Sequence, residues 1–467
     1  MSAVARLRAR FAAKPDQPLK LIGATGQLGY GVPEPAFTAA LARKPDMIGA
    51  DMGSTDIGPT FLGSGQMATA GEQTRRDLEK LLVGARSHDI PLIIGSAGSA
   101  GAAAHLDATL AMIREIAAEH GLSFKLAVIH SDMDRNSVSA AVEAGRVRGM
   151  GVLPDLTVEE VRASSNLVGQ AGTEAFIRAL ETEPDVIIAG RACDTGIYAC
   201  IPEWLGFPTG LTVHMAKIVE CASLCCLPGG RDPILAVLDK QGFVLESMNP
   251  ARAATPMSVA AHSLYEQADP HRITEPEGAS LVDTATYSAV DDRRTRVAGA
   301  RWQPAEQLTI KLEGARYLGE RAVLLAGSAD PRFIQNVKTL LEEVKAVVQE
   351  LVCGAGVAPD YDLTFRTYGL DAVFPWPDPP VTPLREIFIL GEVIAPTRDR
   401  ALAVTKSTKQ YLLHHGFPGR LSTSGNIAFP FTPPELAAGP AYRFNAYHLM
   451  EVDDLAAHFP VTTEQVG

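Results

Sequence analysis

The chain has 467 residues, a formal net charge of −12, 46% hydrophobic and 21% charged residues. That is too long for one ordinary core, and no apolar run reaches the roughly 18 residues of a membrane span, so two globular domains are predicted. An acidic chain with no dense Lys/Arg block and interleaved aromatics excludes a nucleic-acid interface.

Residues 1–17 carry Arg6, Arg8, Arg10 and Lys14 but lack the apolar stretch of a secretory signal, and they read as an amphipathic first helix of a cytoplasmic protein. A mitochondrial presequence is the competing reading, because no acid precedes Asp16. From 20 to about 227 short apolar runs alternate with small polar loops and helical periods. Strands are expected at 21–23, 47–50, 92–94, 126–129 and 186–189, and helices at 34–43, 71–87, 104–120, 137–144, 158–163 and 172–181. Continuous apolar strands of this kind suit an α/β fold, an open, mostly parallel sheet buried on both faces and flanked by helices.

After PGGRDP at 228–233 the rhythm changes. The order strand, strand, helix is expected at 307–313, 321–326 and 331–352, and again at 362–368, 386–394 and 398–415. This predicts a C-terminal α+β domain with a mixed sheet, giving domains 1–230 and 231–467. PWPDPPVTP at 375–383 reads as a rigid, extended connection. The six cysteines, at 193, 200, 221, 225, 226 and 353, have no paired CxxC spacing and read as reduced core thiols rather than as a zinc site.

In an open parallel sheet ligands bind beyond the carboxyl ends of the strands, so the loops that follow the apolar runs are where chemistry is sought. GATGQLG at 23–29 resembles a dinucleotide turn but misses the GxGxxG spacing, and no nicotinamide or flavin is expected. In DMGSTDIG at 51–58, Asp51 and Asp56 flank Ser54 and Thr55. Paired acids there could move a proton or bind a cation; alternatively Asp51 caps a turn and Asp56 is solvated. GSAGSAG at 95–101 offers Gly98 and Ser99 as a carboxylate or phosphate cradle, or simply as a tight turn into a helix.

HSDMD at 130–134 sets His130 beside Asp132 and Asp134, a pattern for acid–base work or for hard-metal binding by the two aspartates, with plain structural hydrogen bonding as the alternative. In GRACDTG at 190–196, Arg191 is the natural grip for a substrate carboxylate and Asp194 and Thr195 stand beside it; an Arg191–Asp194 pair stiffening the turn is the other reading. His214, Lys217 and Glu220, at helical spacing, read as a solvated face. No GxSxG elbow and no Cys–His signature is present, which disfavours covalent hydrolysis.

AHSLYEQADP at 261–270, RITEP at 272–276, LVDT at 281–284, TRVAGAR at 295–301 and SGNIAFPF at 424–431 together resemble the acyclic terpene utilisation family, AtuA-like in its N-terminal region. The resemblance runs from about 20 to about 435. It implies breakdown of branched or terpenoid carboxylic acids and their thioesters, with no general mechanism to carry over. It also implies a small partner domain or separate partner subunit. Positions that match family segments are Asp51 to Asp56, Arg191 to Thr195, His262, and Gly425 with Asn426, none with an assigned role.

The reading that follows is a lyase of hydratase type acting on a small polycarboxylic or hydroxy acid, free or as its thioester. Asp51, Asp56, His130, Asp132 and Asp194 are the candidate acid–base groups. Ser54, Thr55, Gly98, Ser99, Arg191, Thr195 and Asn426 are the candidate substrate contacts. A divalent cation, Mg²⁺ by the oxygen donors of Asp132 and Asp134, is the expected helper. A homo-oligomer is expected. The rivals are a non-catalytic binding or assembly subunit completed by a small partner, and a metal-assisted hydrolase.

Overall fold

A computed structural model describes residues 1–467 except Val152, Tyr265, Glu266, Pro377, Pro379, Pro380, Val381 and Gly425. The expectations placed on Gly425, on the middle of the 261–270 segment and on part of the 375–383 connection therefore lie outside the described residues. The chain forms two compact units, Met1–Arg316 with Phe444–Gly467, and Tyr317–Arg443.

The first unit is built on a ten-stranded mixed sheet, in the order Thr286–Ala289, Arg294–Ala298, Gly242–Ser247, Ile234–Leu238, Leu19–Gly23, Met47–Asp51, Leu92–Gly95, Val186–Ala189, Phe124–Ile129, Val461–Val466. The five strands from Leu19–Gly23 to Phe124–Ile129 are parallel. Antiparallel strands extend both edges. The parallel strands are largely apolar because they are buried on both faces. Leu19 and Leu21 pack with the helices Ala3–Ala13, Thr173–Glu181, Asp194–Trp204 and Thr209–Val219, while Ile22 packs with Glu34–Ala42, Gly71–Ser87 and Ala103–His120 on the opposite face.

The helices have ordinary starts. Ser2 accepts from the Ala5 amide to cap the first, and Asp134 caps Arg135–Glu143. A three-stranded antiparallel sheet, Arg272–Glu275, Gly278–Leu281 and Arg301–Pro304, covers the Thr209–Val219 helix, whose Gly210 carbonyl accepts from Ser280 Oγ at 2.8 Å.

Two features differ from expectation. The Ile234–Leu238 and Gly242–Ser247 hairpin pairs with Leu19–Gly23, so the chain beyond 230 continues the large sheet and the units divide at 316/317 instead. The strands expected at 307–313 and 321–326 are a single strand, Leu308–Ser328, whose first part pairs with Asn166–Gly169 and whose last part pairs with Ile387–Ala395. Within the second unit, Asp362–Tyr368, Ile387–Ala395 and residues 320–328 form an antiparallel sheet. Its alternating buried positions, such as Ala322, Leu324, Ala326, Ile389 and Val393, pack on the helices Pro331–Cys353 and Arg398–His414. No helix among the described residues is long and apolar enough to cross a membrane.

Candidate active site

A cavity of about 690 Å³ opens in the first unit at the carboxyl end of the Val186–Ala189 strand. Cys193, Asp194 and Thr195 form one wall at the start of the Asp194–Trp204 helix, and Lys217 and Glu220 form another at the end of the Thr209–Val219 helix. The tight turn between Arg272–Glu275 and Gly278–Leu281 brings in Glu275, and Lys311 comes from the Leu308–Ser328 strand. Arg148 and Arg272 add positive charge to the lining.

The carboxyls here are crowded and poorly hydrated. Burial pushes Glu275 up to about 8, reinforced by the charges of Glu277 and Asp194, with the nearby Thr195 and Lys217 pulling it down. Glu277 is fixed by accepting the Glu174 amide at 3.0 Å. Glu203, on the Asp194–Trp204 helix, is pushed up to about 8 by burial and by Glu277 and Glu275. Glu220 is also raised by burial, although it holds Lys217 Nζ at 2.5 Å. The Cys193 thiol is driven up by burial and by Glu275, Glu277 and Asp194, which makes it a weak nucleophile.

Behind this wall Arg191 is 3% exposed and its fork is committed. Its Nε donates to Glu313 at 2.7 Å, Nη2 donates to the same carboxylate at 3.3 Å, and Nη1 donates to Ser96 Oγ at 3.0 Å. Lys311 and Gln170 also reach Glu313, at 3.0 and 3.1 Å. Despite its burial, Glu313 is held down at about 2 by Arg191 and Lys311. The expected substrate clamp is thus a buried ion pair joining loop to strand, with Glu313 as partner where Asp194 was weighed. Asp51, at the end of Met47–Asp51, is 4% exposed and raised well above the carboxylate range by burial and by Asp194, with Arg191 opposing.

The structure therefore brings Asp51, Asp194, Thr195, Arg191 and the loop bearing Gly98 and Ser99 into one neighbourhood, where Arg191 donates to Ser96 and toward the Gly53 carbonyl. It does not bring the others there. Asp56 is exposed, with its amide donating to Ser54 Oγ; Thr55 is buried on the same loop. Asp132 and Asp134 line a separate hollow of about 360 Å³ with Met133, Arg135, Asn166 and Leu167. His130 meets Thr462 Oγ1 at 3.0 Å.

Asp134 accepts the Ser137 amide at 3.0 Å and the Ser137 hydroxyl at 2.9 Å, and these bonds lower its pKa. It is a helix cap, which does not suit the role expected for it as a Mg²⁺ ligand. Among the described residues no group of three or more His, Cys, Asp or Glu is arranged to hold a metal ion. Asn426 lies in the second unit, where its carbonyl accepts from Ser328 Oγ at 2.6 Å. His214, Lys217 and Glu220, expected on a solvated face, are all buried. Spacing marks which residues share a face; the apolar residues on every side of them, Leu211, Val213, Met215, Ala216 and Ile218, were the signal that the face points inward.

Residues 24–226 match the family described as acyclic terpene utilisation family protein AtuA. The match covers less than half of the chain, and over that stretch the chain is similar to that family. The matched stretch contains Asp51, Ser99, Arg191, Asp194, Lys217 and Glu220, whereas Glu275, Lys311 and Glu313 lie beyond it. Comparison with curated proteins and with solved structures gives no match.

Proposed function

We propose that this chain is a lyase of hydratase type acting on a small carboxylic or hydroxy acid, free or as its thioester, by proton transfer in the 690 Å³ cavity. The observation that carries the reading is Glu275. A carboxyl pushed up to about 8 is protonated at neutral pH and can donate to a departing hydroxyl. Asp194, on the facing wall, takes the proton α to the carbonyl. Arg148 and Arg272 supply the positive charge that holds a carboxylate at the lining, in place of Arg191 and Lys311, which are both committed to Glu313. Elimination of water then breaks a C–H and a C–O bond, with one carboxylate accepting and one carboxyl giving a proton. No step is routed through a cation, because Asp134 is already used as a cap.

The experiment incubates the purified chain with a panel of carboxylic acids and their thioesters in D₂O and follows deuterium incorporation α to the carbonyl by mass spectrometry. Exchange by the chain alone is expected; Asp194→Asn should slow it by about 10² or more, and Glu275→Gln should slow the loss of water by a similar factor. If no acid of the panel exchanges, the lyase reading is lost. Exchange that appears only when a second protein is added supports the assembly-subunit reading, and ¹⁸O from water in a released acid supports hydrolysis.

A further inference from the structure

Near Asp194, though not among the residues that line the cavity, lie buried oxygens that the proton transfer above does not use. Asp194 and Tyr198 are one turn apart on the Asp194–Trp204 helix and share a face. The Tyr198 ring lies against Gly49, close enough that a Cβ there would stand 2.5 Å from Cε1. Gly49 and Asp51 are two residues apart on one strand and project to the same side of the sheet. The Tyr198 hydroxyl is thereby brought beside Asp51, whose charge bears on it.

Asp51 Oδ2 accepts the Gly53 amide at 3.1 Å, and Ser99 Cβ stands 3.1 Å from where a Cβ of Gly53 would be. Ser99 itself sits at φ 84°, a left-handed conformation that a side-chain-bearing residue adopts at a cost and that recurs at ligand-binding sites. Asp51, Ser99 and Tyr198 are 4%, 1% and 0% exposed. Yet Asp51 Oδ1, Ser99 Oγ and Tyr198 OH make no hydrogen bond to any described residue. Buried polar atoms are seldom left so, because their lost hydration goes uncompensated.

We propose that Asp51, Ser99 and Tyr198 form an inner subsite for one uncharged oxygen, a hydroxyl or a carbonyl, of the substrate held in the cavity. The substrate is then a hydroxy or oxo acid. This rests on the reading of the cavity as the substrate site. Two hydroxyls that rotate and a carboxyl can meet either a donor or an acceptor. A second carboxylate of the substrate is unwelcome, because Asp51 and Asp194 already oppose one another there and Arg191 is committed to Glu313. Ile197, packed against Gly49 and Gly95, keeps the wall apolar.

The test is equilibrium binding by calorimetry of matched pairs that differ by one hydroxyl: malate with succinate, citrate with tricarballylate, 3-hydroxybutyrate with butyrate. At least one hydroxylated member should bind about tenfold or more tighter than its partner. Tyr198→Phe, which keeps the ring on Gly49, and Ser99→Ala should each erode that preference while leaving the deoxy member's affinity unchanged. No preference anywhere in the panel, a preference intact in both variants, or equal losses for both members of a pair overturns the proposal. So does a ligand-bound crystal structure in which ordered water alone satisfies the three oxygens. A preference without deuterium exchange keeps the subsite and removes the lyase reading. Exchange without a preference does the reverse.

Discussion

Arg191 and Glu313 join segments 122 residues apart, and both are almost completely buried. Breaking such a pair from one side strands a charge that the interior cannot hydrate. Glu313→Ala is therefore expected to destabilise the first unit by about 3–5 kcal/mol, whereas Arg191→Met with Glu313→Leu costs clearly less, as chemical unfolding of the three proteins would register. A single mutant with wild-type stability contradicts this account. Sequence spacing drew attention to Arg191 but not to its partner, since nothing local in LTIKLEG, 308–314, distinguishes an ion-pair carboxylate from a surface one.

Glu275 in the cavity and Glu203 near it set the pH response in the opposite direction from an ordinary ion pair. Glu275 and Glu203 are raised from 4.5 to about 8 in the fold, so their protonated state favours the folded chain most below 4.5. As pH rises from 4.5 toward 8 the unfolded chain releases these protons first, and that contribution is lost. The stability lost over this window is expected to shrink in Glu275→Gln with Glu203→Gln, measured as denaturation midpoints across the range. An unchanged slope would show that neither carboxyl is raised. Glu313 acts in the usual sense: its contribution is complete above 4.5 and disappears as pH falls through about 2.

At the scale of elements, the parallel strands were legible from their apolar runs: the Val186–Ala189 strand coincides with its expected bounds, whereas Leu19–Gly23 and Phe124–Ile129 begin two residues early, ahead of Lys20 and Lys125. The Thr209–Val219 helix was legible as a helix and misplaced as a surface. Its burial follows from the sheet that covers it, contributed by residues more than 50 positions away, which local periodicity does not see. Gly210 marks the contact: a Cβ would meet the Arg301 carbonyl carbon at 2.5 Å and the Trp302 nitrogen at 2.8 Å, both backbone. Gly→Ala ordinarily stabilises a helix by up to about 1 kcal/mol. Here Gly210→Ala is expected to destabilise by about 1–3 kcal/mol and to disturb the Lys217 and Glu220 wall, lowering both the melting temperature and ligand affinity. Glu275 was missed for a related reason. In EPEG, 275–278, the residues read as a turn, and only the hairpin's position over the cavity makes one of its acids functional.

For the molecule as a whole, the change of rhythm near 228 was real, but it marks where the large sheet changes from parallel to antiparallel pairing rather than where a compact unit ends. The division falls inside two long strands, Leu308–Ser328 and Glu435–Val452, which no composition shift announces. Gly314 stands against Ala446 and Asn445, so the chain leaves the first unit at Arg316 and re-enters it at Phe444 at neighbouring points. All the lining residues of the 690 Å³ cavity belong to the first unit. Replacing 317–443 by a short Gly/Ser turn closes a gap between adjacent strands and removes no residue of the cavity, and loop closure over so small a span costs little. The shortened chain is expected to fold, to melt in one cooperative transition, and to bind acids of the calorimetric panel within about threefold of the full chain, a difference below 1 kcal/mol. Loss of binding with the fold intact would assign the Tyr317–Arg443 unit a direct part in the site, and loss of folding would show that the first unit depends on it for stability.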